Sequence, residues 1–448
     1  MKSRLNRLVI IFSLVGLQVT AQEKRPITLT EAIDLGIKNS KQLKNSQAKI
    51  EEATAALKEA LNNQLPDAKL SGSYLWLSSA NVDMKLKGNS GGTGGGTGRG
   101  GSVPQISKAG YAIANASLPV FAGGRIKYGI EASRFLAQAT RLDADNDKEE
   151  VIQNTVEAFV NLYKAKASVS LVQENLAEAQ QRVKDFSNLE KNGLLARNDL
   201  LSAQLQASNF ELGLLDAENN WKLANVSMNI LLGLPENLEL VPDSSMIDQN
   251  FALKTLDDYL QTAFTNRKDL AAIDLRKKAS ESSIKSAKGD YYPSLAVTGG
   301  YIAADIPEVI SITNALNVGV GVSYNIGSLW KTKAKVQQAE ARAKQAAIGE
   351  SQLNDNIRLD VNHAYLNLLS SQKKIEVYEK AVEQAVENYR IVKNKYNNSL
   401  ETTTDLLDAN TKQLLERMNL IFAKADAVVS YNKLLQAAGL LEENTKQQ

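Results

Sequence analysis

An internal duplication constrains this chain of 448 residues more than any other feature of its sequence. The stretch Leu118–Leu234 matches Tyr324–Leu440 at one constant offset of 206 residues, and upstream of these stretches the offset is 227. The first copy therefore carries 21 extra residues, which fall between Tyr74 and Ser117 and include a glycine-rich tract. Two copies of one unit indicate that function lies in what the copies build together.

The first 21 residues are predicted to be a secretory signal peptide. Three basic residues precede a mostly apolar run from Leu8 to Leu17, and Val19-Thr20-Ala21 fits the small-x-small cleavage rule. A membrane anchor would need about 20 apolar residues, roughly twice what is present. Removing the three basic residues changes the formal charge from +2 to −1, which gives no electrostatic case for binding nucleic acid.

The chain contains no cysteine. An exported protein without cysteine has no disulfide framework and cannot carry a lipid on an N-terminal cysteine. Beyond the signal peptide, no stretch approaches the length and hydropathy of a membrane-spanning helix. If this protein crosses a membrane, it must therefore do so with strands.

Four segments have the character of strands: Ala68–Lys87, Ile106–Phe121, Ser294–Ala304 and Ala315–Gly327. In the last segment, apolar residues from Leu316 to Ile326 alternate with small or polar residues, as in a barrel strand with lipid on one side and water on the other. A soluble sandwich gives the same alternation, but it needs more strands than this chain supplies. The smallest membrane barrels have about eight strands, so four strands indicate a barrel shared between copies.

The rest of the chain is predicted to form long helices with coiled-coil spacing. Apolar residues step by three and four along the second copy at Ile375, Tyr378, Val382, Ala385, Tyr389, Val392 and Tyr396. Arg125–Glu190 and Lys331–Tyr396 each contain 66 residues without proline, enough for a helix about 100 Å long. Reversals are predicted at Lys191-Asn192-Gly193 and at Asn397-Asn398-Ser399, and charged residues outside the seam are interpreted as a solvated wall.

The predicted organisation has three parts. Residues 1–21 form the signal peptide, and residues 22–245 form the first repeat, with a β-hairpin at about 68–121. Residues 246–448 form the second repeat, with a β-hairpin at about 294–327, and Leu240–Leu253 is interpreted as the connector. The glycine-rich residues 88–102 lack the Gly-Lys-Ser/Thr ending of a phosphate-binding loop, so an extracellular loop is predicted instead.

Motifs at both ends of both copies resemble those of TolC-type outer-membrane efflux proteins. Leu118–Arg125 is similar to the strand-to-helix entry of that family, Thr404–Ala409 to its inner-coil turn, and Leu231-Leu232-Gly233 to a helix end. The resemblance covers about Ile27 to Leu441. It implies a mostly α fold with a small β portion and duplicated antiparallel coiled-coil helices. It also implies a homotrimer, in which four strands per chain form a 12-stranded outer-membrane β-barrel on a periplasmic α-helical barrel.

The same resemblance implies a passive outer-membrane channel of a tripartite efflux or type I secretion system. The implied partners are a periplasmic adaptor (membrane fusion) protein, an inner-membrane pump of the RND or ABC type, and outer-membrane lipid. The expected location is the outer membrane, extending into the periplasm, with no enzymatic activity and no cofactor. The sequence is consistent with the absence of a metal cofactor, because the single histidine, His363, has no second histidine or cysteine with which to build a metal site.

The resemblance also assigns residues to a periplasmic aperture. Asp405 and Asp408 match acidic positions that line the aperture, and in a trimer such carboxylates would raise each other's pKa and attract cations. From the residues alone, an acidic pair that suits the dipole at a solvated helix start is the favoured interpretation, and with the resemblance the aperture is favoured. Glu401 is grouped with them, since it stands where the family pattern can carry a gate arginine and adds a further carboxylate.

Two further groups of residues are implied by the resemblance. Tyr396 and Asp199 match positions whose contacts hold the inner and outer coils closed, although Tyr396 also completes the apolar seam. The turn residues that match the docking sites of adaptor proteins are Gly193, Leu194, Ser399 and Leu400. Exposed leucines at such turns suit a protein contact, and simple turn chemistry explains the same residues equally well.

A second class of function explains part of the same sequence. A structural trimeric coiled-coil protein of the envelope, or an adhesin stalk, explains the heptad spacing and the export signal. It does not explain four alternating strands placed as hairpins within the two copies. The sequence therefore favours the channel, without indicating which substrate, pump or adaptor it serves or whether its aperture rests closed.

Overall fold

A computed structural model describes residues 24–80, 106–245, 247, 253–307 and 310–442. The predicted signal peptide and the glycine-rich residues 88–102 lie outside the described residues. Helices account for most of the described chain and strands for a small part, which confirms the predicted fold class. The helices are α1 (Leu29–Asn39), α2 (Lys41–Asn62), α3 (Arg125–Lys191), α4 (Arg197–Leu232), α5 (Leu256–Asn266), α6 (Lys268–Lys288), α7 (Ser328–Asn397) and α8 (Thr403–Ala437).

The strands are β1 (Lys24–Ile27), β2 (Asp67–Ala80), β3 (Ile106–Ala122), β4 (Glu239–Pro242), β5 (Ser294–Ile306) and β6 (Ile310–Ser323). The chain divides into two compact units. The helical unit comprises the described residues within Met1–Ala48, Leu142–Ala271 and Ser351–Gln448. The strand unit comprises those within Lys49–Arg141 and Ala272–Glu350.

The strand unit contains an antiparallel sheet with the strand order β2-β3-β5-β6. Strand β6 covers Ile310–Ser323, so it begins and ends earlier than the predicted segment Ala315–Gly327. Its end is set by an Asx turn, in which the side chain of Asn325 accepts a hydrogen bond from the amide of Gly327 at 3.0 Å. The Asn325 carbonyl accepts from the amide of Ser328 at 2.9 Å, and α7 begins there.

The largest core of the helical unit joins residues from both copies. Val156 and Phe159 of α3 are completely buried, and they pack in one cluster with Met228 of α4 and Val428 of α8. Burial of each such side chain stabilises the fold by roughly 1.5–3 kcal/mol. The duplicated helices are therefore held together by side chains that their apolar seams supply.

A short parallel pair of strands, β1 and β4, was not predicted. It aligns Lys24 with Glu239 and Ile27 with Pro242, and it buries the side chains of Ile27 and Leu240. The start of the segment interpreted as a connector is therefore a strand. Strands of four residues are too short to show a period in the sequence, so their partner decides whether they form.

The two copies have matched helices with matched ends. Helices α3 and α7 contain 67 and 70 residues, and α4 and α8 contain 36 and 35. Gly233 and Gly439, which correspond at the 206 offset, have φ angles of 68° and 67° just beyond α4 and α8. This left-handed backbone is the usual helix end that glycine permits. No helix in the described part of the chain combines the length and the apolar character needed to span a membrane.

Candidate functional site

The two predicted reversals form one end of the helical unit, and they share a backbone conformation. Gly193 has a φ angle of 70° and Ser399 one of 60°. The amide of Leu194 donates to the Leu189 carbonyl at 2.8 Å, and the amide of Leu400 donates to the Lys395 carbonyl at 2.9 Å. Each turn then presents one leucine to solvent, since Leu194 and Leu400 are both 73% exposed.

The helix that follows the second turn begins with a capping box. The Thr402 hydroxyl accepts a hydrogen bond from the Asp405 amide at 3.2 Å, while the Asp405 carboxylate accepts from the Thr402 amide at 3.3 Å. The hydrogen bonds from the Thr402 hydroxyl and amide lower the pKa of Asp405 below its usual value. In the first copy Ala196 stands at the cap position, and its methyl side chain provides no capping hydrogen bond.

The three predicted aperture carboxylates have different surroundings within one chain. Asp405 is engaged in the cap just described, whereas Asp408 is exposed and forms no hydrogen bond with any described residue. Glu401 accepts a hydrogen bond from Lys395 at 2.9 Å, across the turn. Glu401 follows Leu400 directly, and Asp405 and Asp408 lie in the first two turns of α8.

The predicted gate residues do not bond to one another. Tyr396 is half-buried, and its ring stacks on Phe186 with the centroids 5.7 Å apart and an interplanar angle of 27°. The amide of Asp199 donates to the Ala196 carbonyl at 3.1 Å, and within the described chain no hydrogen bond joins the side chains of Asp199 and Tyr396. The structure therefore places Tyr396 in the apolar packing between α3 and α7.

A polar cluster about three turns from the tip was missed by the sequence analysis. Arg182 of α3 is 8% exposed, and its guanidinium donates to the Tyr389 hydroxyl of α7 at 3.0 Å. It also donates to Gln206 of α4 at 3.0 Å and to Asn410 of α8 at 3.5 Å. One buried cation thus contacts all four long helices.

Glu178 completes this junction and neutralises the arginine. It accepts a hydrogen bond from the guanidinium of Arg182 at 3.2 Å and another from the Tyr389 hydroxyl. Burial, followed by this contact with Glu178, raises the pKa of Tyr389 to about 12. A buried charge that lost its partners would be costly, so the cluster favours one arrangement of the four helices.

Arg182 is a charged residue outside the apolar seam, where the sequence indicates a wall wetted over much of its surface, and the structure buries it. It directly precedes Val183, which is half-buried and packs against the cluster that contains Phe186 and Tyr389, so Arg182 lies on the side of α3 that faces the neighbouring helices. Tyr389 in the apolar seam does indicate such a cluster, because a buried tyrosine hydroxyl needs a hydrogen-bond partner.

The described residues contain no group of three His, Asp or Glu side chains able to hold a metal ion. What the site can do is mechanical and electrostatic. Its exposed leucines can bind a protein, its carboxylates can attract cations, and its buried junction can hold helix ends together.

The fold is that of an outer-membrane channel. It superposes on the outer membrane channel CmeC of Campylobacter jejuni with a TM-score of 0.75, covering 94% of this chain and 88% of that chain at 19% identity. The likeness shows that the two chains share this fold.

The chain belongs to the outer membrane efflux protein family, whose model matches residues 32–234 and 259–440. It is similar to the outer membrane efflux protein BepC of Brucella suis, at 22% identity over 323 residues, which cover 71% of this chain and 70% of BepC. It is also similar to the outer membrane protein TolC of Vibrio cholerae, at 22% identity over 299 residues, which cover 65% of this chain and 68% of TolC. The predicted family and the predicted location, in the outer membrane and extending into the periplasm, are confirmed. The relatives are channel and efflux proteins rather than enzymes.

Proposed function

We propose that three copies of this chain form a passive export channel. Each copy contributes four strands to a 12-stranded barrel in the outer membrane, and its long helices contribute to a tunnel in the periplasm. Solutes reach the channel through a periplasmic adaptor protein coupled to an inner-membrane pump of the RND or ABC type. One observation carries the proposal: the four-stranded sheet is apolar on an exposed face and has a free edge on each side.

The free edges belong to β2 and β6. Each has one neighbour in the sheet of the described chain, so one row of its backbone amides and carbonyls lacks a strand partner. Open edges do not occur inside a lipid bilayer, because unpaired backbone groups there cost several kcal/mol each. Pairing β6 of one copy with β2 of the next removes every edge once the ring closes.

The exposed face of β6 is suited to lipid. Four alternate residues are between 68% and 84% exposed: Leu316, Val318, Val320 and Val322. The intervening positions, Asn317, Gly319 and Gly321, are small or polar. An apolar row of this kind opposite a polar row is typical of strands with lipid on one side and water on the other.

The long helices also expose apolar stripes. On α4 the exposed residues are Leu201, Leu205, Leu212, Leu215, Leu223 and Ile230, and on α7 they include Leu359, Leu366 and Val377. Soluble chains rarely leave such stripes uncovered. Contact of α4 in one copy with α7 in the next would bury both stripes, which supports an assembly through helices as well as strands.

The tips support docking of an adaptor. Leu194 and Leu400 occupy equivalent turns, so a trimer would present six exposed leucines at one end. Apolar side chains held on rigid turns are effective contact points, because little conformational entropy is lost when they bind.

Cysteine cross-linking between edge strands tests the assembly. The chain has no native cysteine, so one cysteine at Ser71 of β2 can be paired with single cysteines placed along β6, at Asn317, Gly319 and Gly321. Oxidation of the purified membrane protein should give a covalent trimer in a denaturing gel for at least one register.

A matched control places one cysteine at Asn115, in the strand β3 that has neighbours on both sides and on the same face of the sheet as Ser71 and Asn317. Combined with the same β6 positions, it should give no species larger than a monomer. Monomers alone in every edge-strand pair, or cross-linking that does not differ from the control, would exclude the shared barrel. Release of the protein in soluble form would favour the structural coiled-coil alternative.

Charge substitution at the tips tests docking separately from conduction. Leu194→Asp and Leu400→Asp should abolish export in cells while leaving the conductance of the purified channel unchanged. Leu415→Asp, on α8 and outside both apolar stripes, provides a control for a charge added at an exposed leucine. Normal export by the Leu194→Asp, Leu400→Asp double variant would overturn the docking role.

A further inference from the structure

The strand unit contains a polar cavity where the strands meet the long helices. It has a volume of about 460 Å³, within the range of roughly 300–1,000 Å³ that is common for small-molecule sites. Its walls come from the ends of β3 and β6, the start of β5, and the first turns of α3 and α7. Neither the predicted gate nor the docking turns include any of these residues.

The charges that line this cavity are predominantly positive. Arg125, Lys331 and Lys335 face it together with a single carboxylate, Asp290, which leaves a net of two positive charges. Asp290 accepts a hydrogen bond from Arg125 at 3.2 Å and another from Lys335 at 2.5 Å. Lys331 forms no ion pair with any carboxylate of the described chain.

The internal duplication explains why two of the cations converge. Arg125 and Lys331 correspond at the 206 offset, and each lies in the first turn of its long helix. The sheet brings the two junctions together, because Ser294 of β5 is paired on one side with Ala122 at the end of β3 and on the other with Ser323 at the end of β6. The strand-to-helix junction of each copy thus places one cation in the same cavity.

A buried hydroxyl in the cavity wall lacks a partner. Ser328 is 7% exposed, and its Oγ forms no hydrogen bond within the described chain. Leaving a buried hydroxyl without a hydrogen bond is unfavourable, and a ligand oxygen in the cavity would accept one from it. Thr332, one turn later, is 3% exposed and also lines the cavity.

Recognition here would rest on side chains rather than on the helix backbone. The amides of Ser328 and Lys331 already donate to the carbonyls of Asn325 and Gly327, at 2.9 and 3.1 Å. The remaining donors are cationic nitrogens and hydroxyl groups. Phosphate oxygens readily accept hydrogen bonds from both. A phosphate group also matches the charge, since it carries close to two negative charges at neutral pH.

The position of the cavity favours a soluble ligand over a lipid headgroup. Ser323 alternates with Val322 along β6, so it lies on the face opposite the exposed apolar row. In the proposed channel that face lines the water-filled interior. We propose that this cavity binds the phosphate group of an exported solute, a proposal that rests on the channel function above and specifies a substrate class.

Calorimetric titration of the full-length protein tests the proposal. The protein is held in a detergent without phosphate and titrated with glycerol phosphate, and with glycerol as the uncharged control. The wild type should bind glycerol phosphate and not glycerol. Lys331→Gln should weaken the affinity by about tenfold or more, because it removes a charge-assisted hydrogen bond.

Lys333→Gln is the matched control, since Lys333 lies on the same turn of α7, is exposed and does not line the cavity. It should retain wild-type affinity, and Ser328→Ala should bind more weakly than wild type. Equal affinities of Lys331→Gln and Lys333→Gln would overturn the proposal. So would binding to phosphatidylglycerol in nanodiscs without binding to glycerol phosphate, which would indicate a lipid site.

Conductance in planar bilayers separates this proposal from the channel function. Added glycerol phosphate should reduce the potassium chloride current of the wild type and of Lys333→Gln by the same fraction, and it should leave the current of Lys331→Gln unchanged. A conducting wild type without phosphate sensitivity would refute the phosphate site alone. A wild type that does not conduct would refute the channel itself.

Discussion

Arg182 of α3 donates a hydrogen bond from its guanidinium to the hydroxyl of Tyr389 on α7, at 3.0 Å. The two residues are 207 positions apart in the chain, and both are buried. This contact links the first copy to the second near their shared tip. It also fixes the rotation of both helices, since a buried guanidinium tolerates few arrangements of its partners.

Removing the Tyr389 hydroxyl should loosen this junction. Tyr389→Phe keeps the ring but leaves Arg182 with one fewer acceptor, so the free energy of unfolding should fall by about 1–2 kcal/mol. Thermal melting of the purified protein measures the loss, and Arg182→Met combined with Tyr389→Phe gives the coupling between the two residues. If the junction helps hold the helix ends closed, the conductance of Tyr389→Phe should also rise.

Tyr378→Phe provides the control on the same helix. The Tyr378 hydroxyl forms no hydrogen bond within the described chain, so this substitution should leave the melting temperature nearly unchanged. Additive losses in the double variant would show that Arg182 and Tyr389 do not act together.

Asp408 gives a more specific test of the predicted acidic aperture than Asp405 does. Asp408→Asn removes an exposed carboxylate that has no hydrogen bond to lose, so the cation preference of the channel should fall while stability is retained. Asp405→Asn should lower the cation preference and also weaken the capping box. Reversal potentials in salt gradients measure the preference, and Glu383→Gln, an exposed site on α7, is the control. An unchanged reversal potential for Asp408→Asn would remove this residue from the aperture.

Substitutions at Gly193 and Ser399, which occupy equivalent turns, should change the stability of the protein in opposite directions. Gly193→Ala places a Cβ on a left-handed backbone with open space around it, so the cost is conformational, about 1–2 kcal/mol. Ser399→Gly relieves the same strain in the second turn and should stabilise it by roughly 0.5–1 kcal/mol. Melting temperatures of the two variants, compared with the wild type, check both signs. A shift of the same sign in both would contradict this account.

Glu149 should make the stability of the helical unit depend on pH. It is 6% exposed, and burial, followed by repulsion from Glu442, raises its pKa from 4.5 to about 7. Arg267 and Lys268 act in the opposite direction, and Asp269 adds a further repulsion. The folded protein therefore holds a proton on Glu149 that the unfolded chain releases above pH 4.5.

A raised pKa of an acid means that stability is highest below the unfolded value and falls as pH rises through the window from about 4.5 to about 7. Over that window, the contribution of Glu149 to the free energy of unfolding should fall by about 2–3 kcal/mol. Glu149→Gln should therefore melt higher than the wild type at pH 8 and close to it at pH 4.5. Glu150→Gln, at the exposed neighbour, should show no such difference. Equal gains for Glu149→Gln at both pH values would contradict the assignment.

Much of the architecture was predictable because it repeats. The 206-residue offset located both long helices, both tip turns and both helix ends, since equivalent residues have equivalent local conformations. The alternation from Leu316 to Val322 located β6, although the end of that strand depended on the Asx turn at Asn325. Periodic patterns predict elements well and predict their boundaries poorly, because single hydrogen bonds decide where an element stops.

The candidate site was predictable in part for the same reason. Leu194 and Leu400 could be assigned to turns because glycine, asparagine and serine mark the reversals next to them. The roles of Asp405 and Tyr396 could not be separated by sequence, since one residue can cap or pack and also line an aperture. The structure adds the capping box of Asp405 and the stacking of Tyr396 on Phe186.

The sequence by itself determined the repeat, the apolar seams and the alternating strand, because each is a regular spacing of residue types along the chain. Only the tertiary structure brought Arg182 to Tyr389, and Arg125 to the same cavity as Lys331. Those contacts join residues about 200 positions apart. The packing of helices and strands decides which residues meet, and spacings of a few residues along the chain do not specify these pairs.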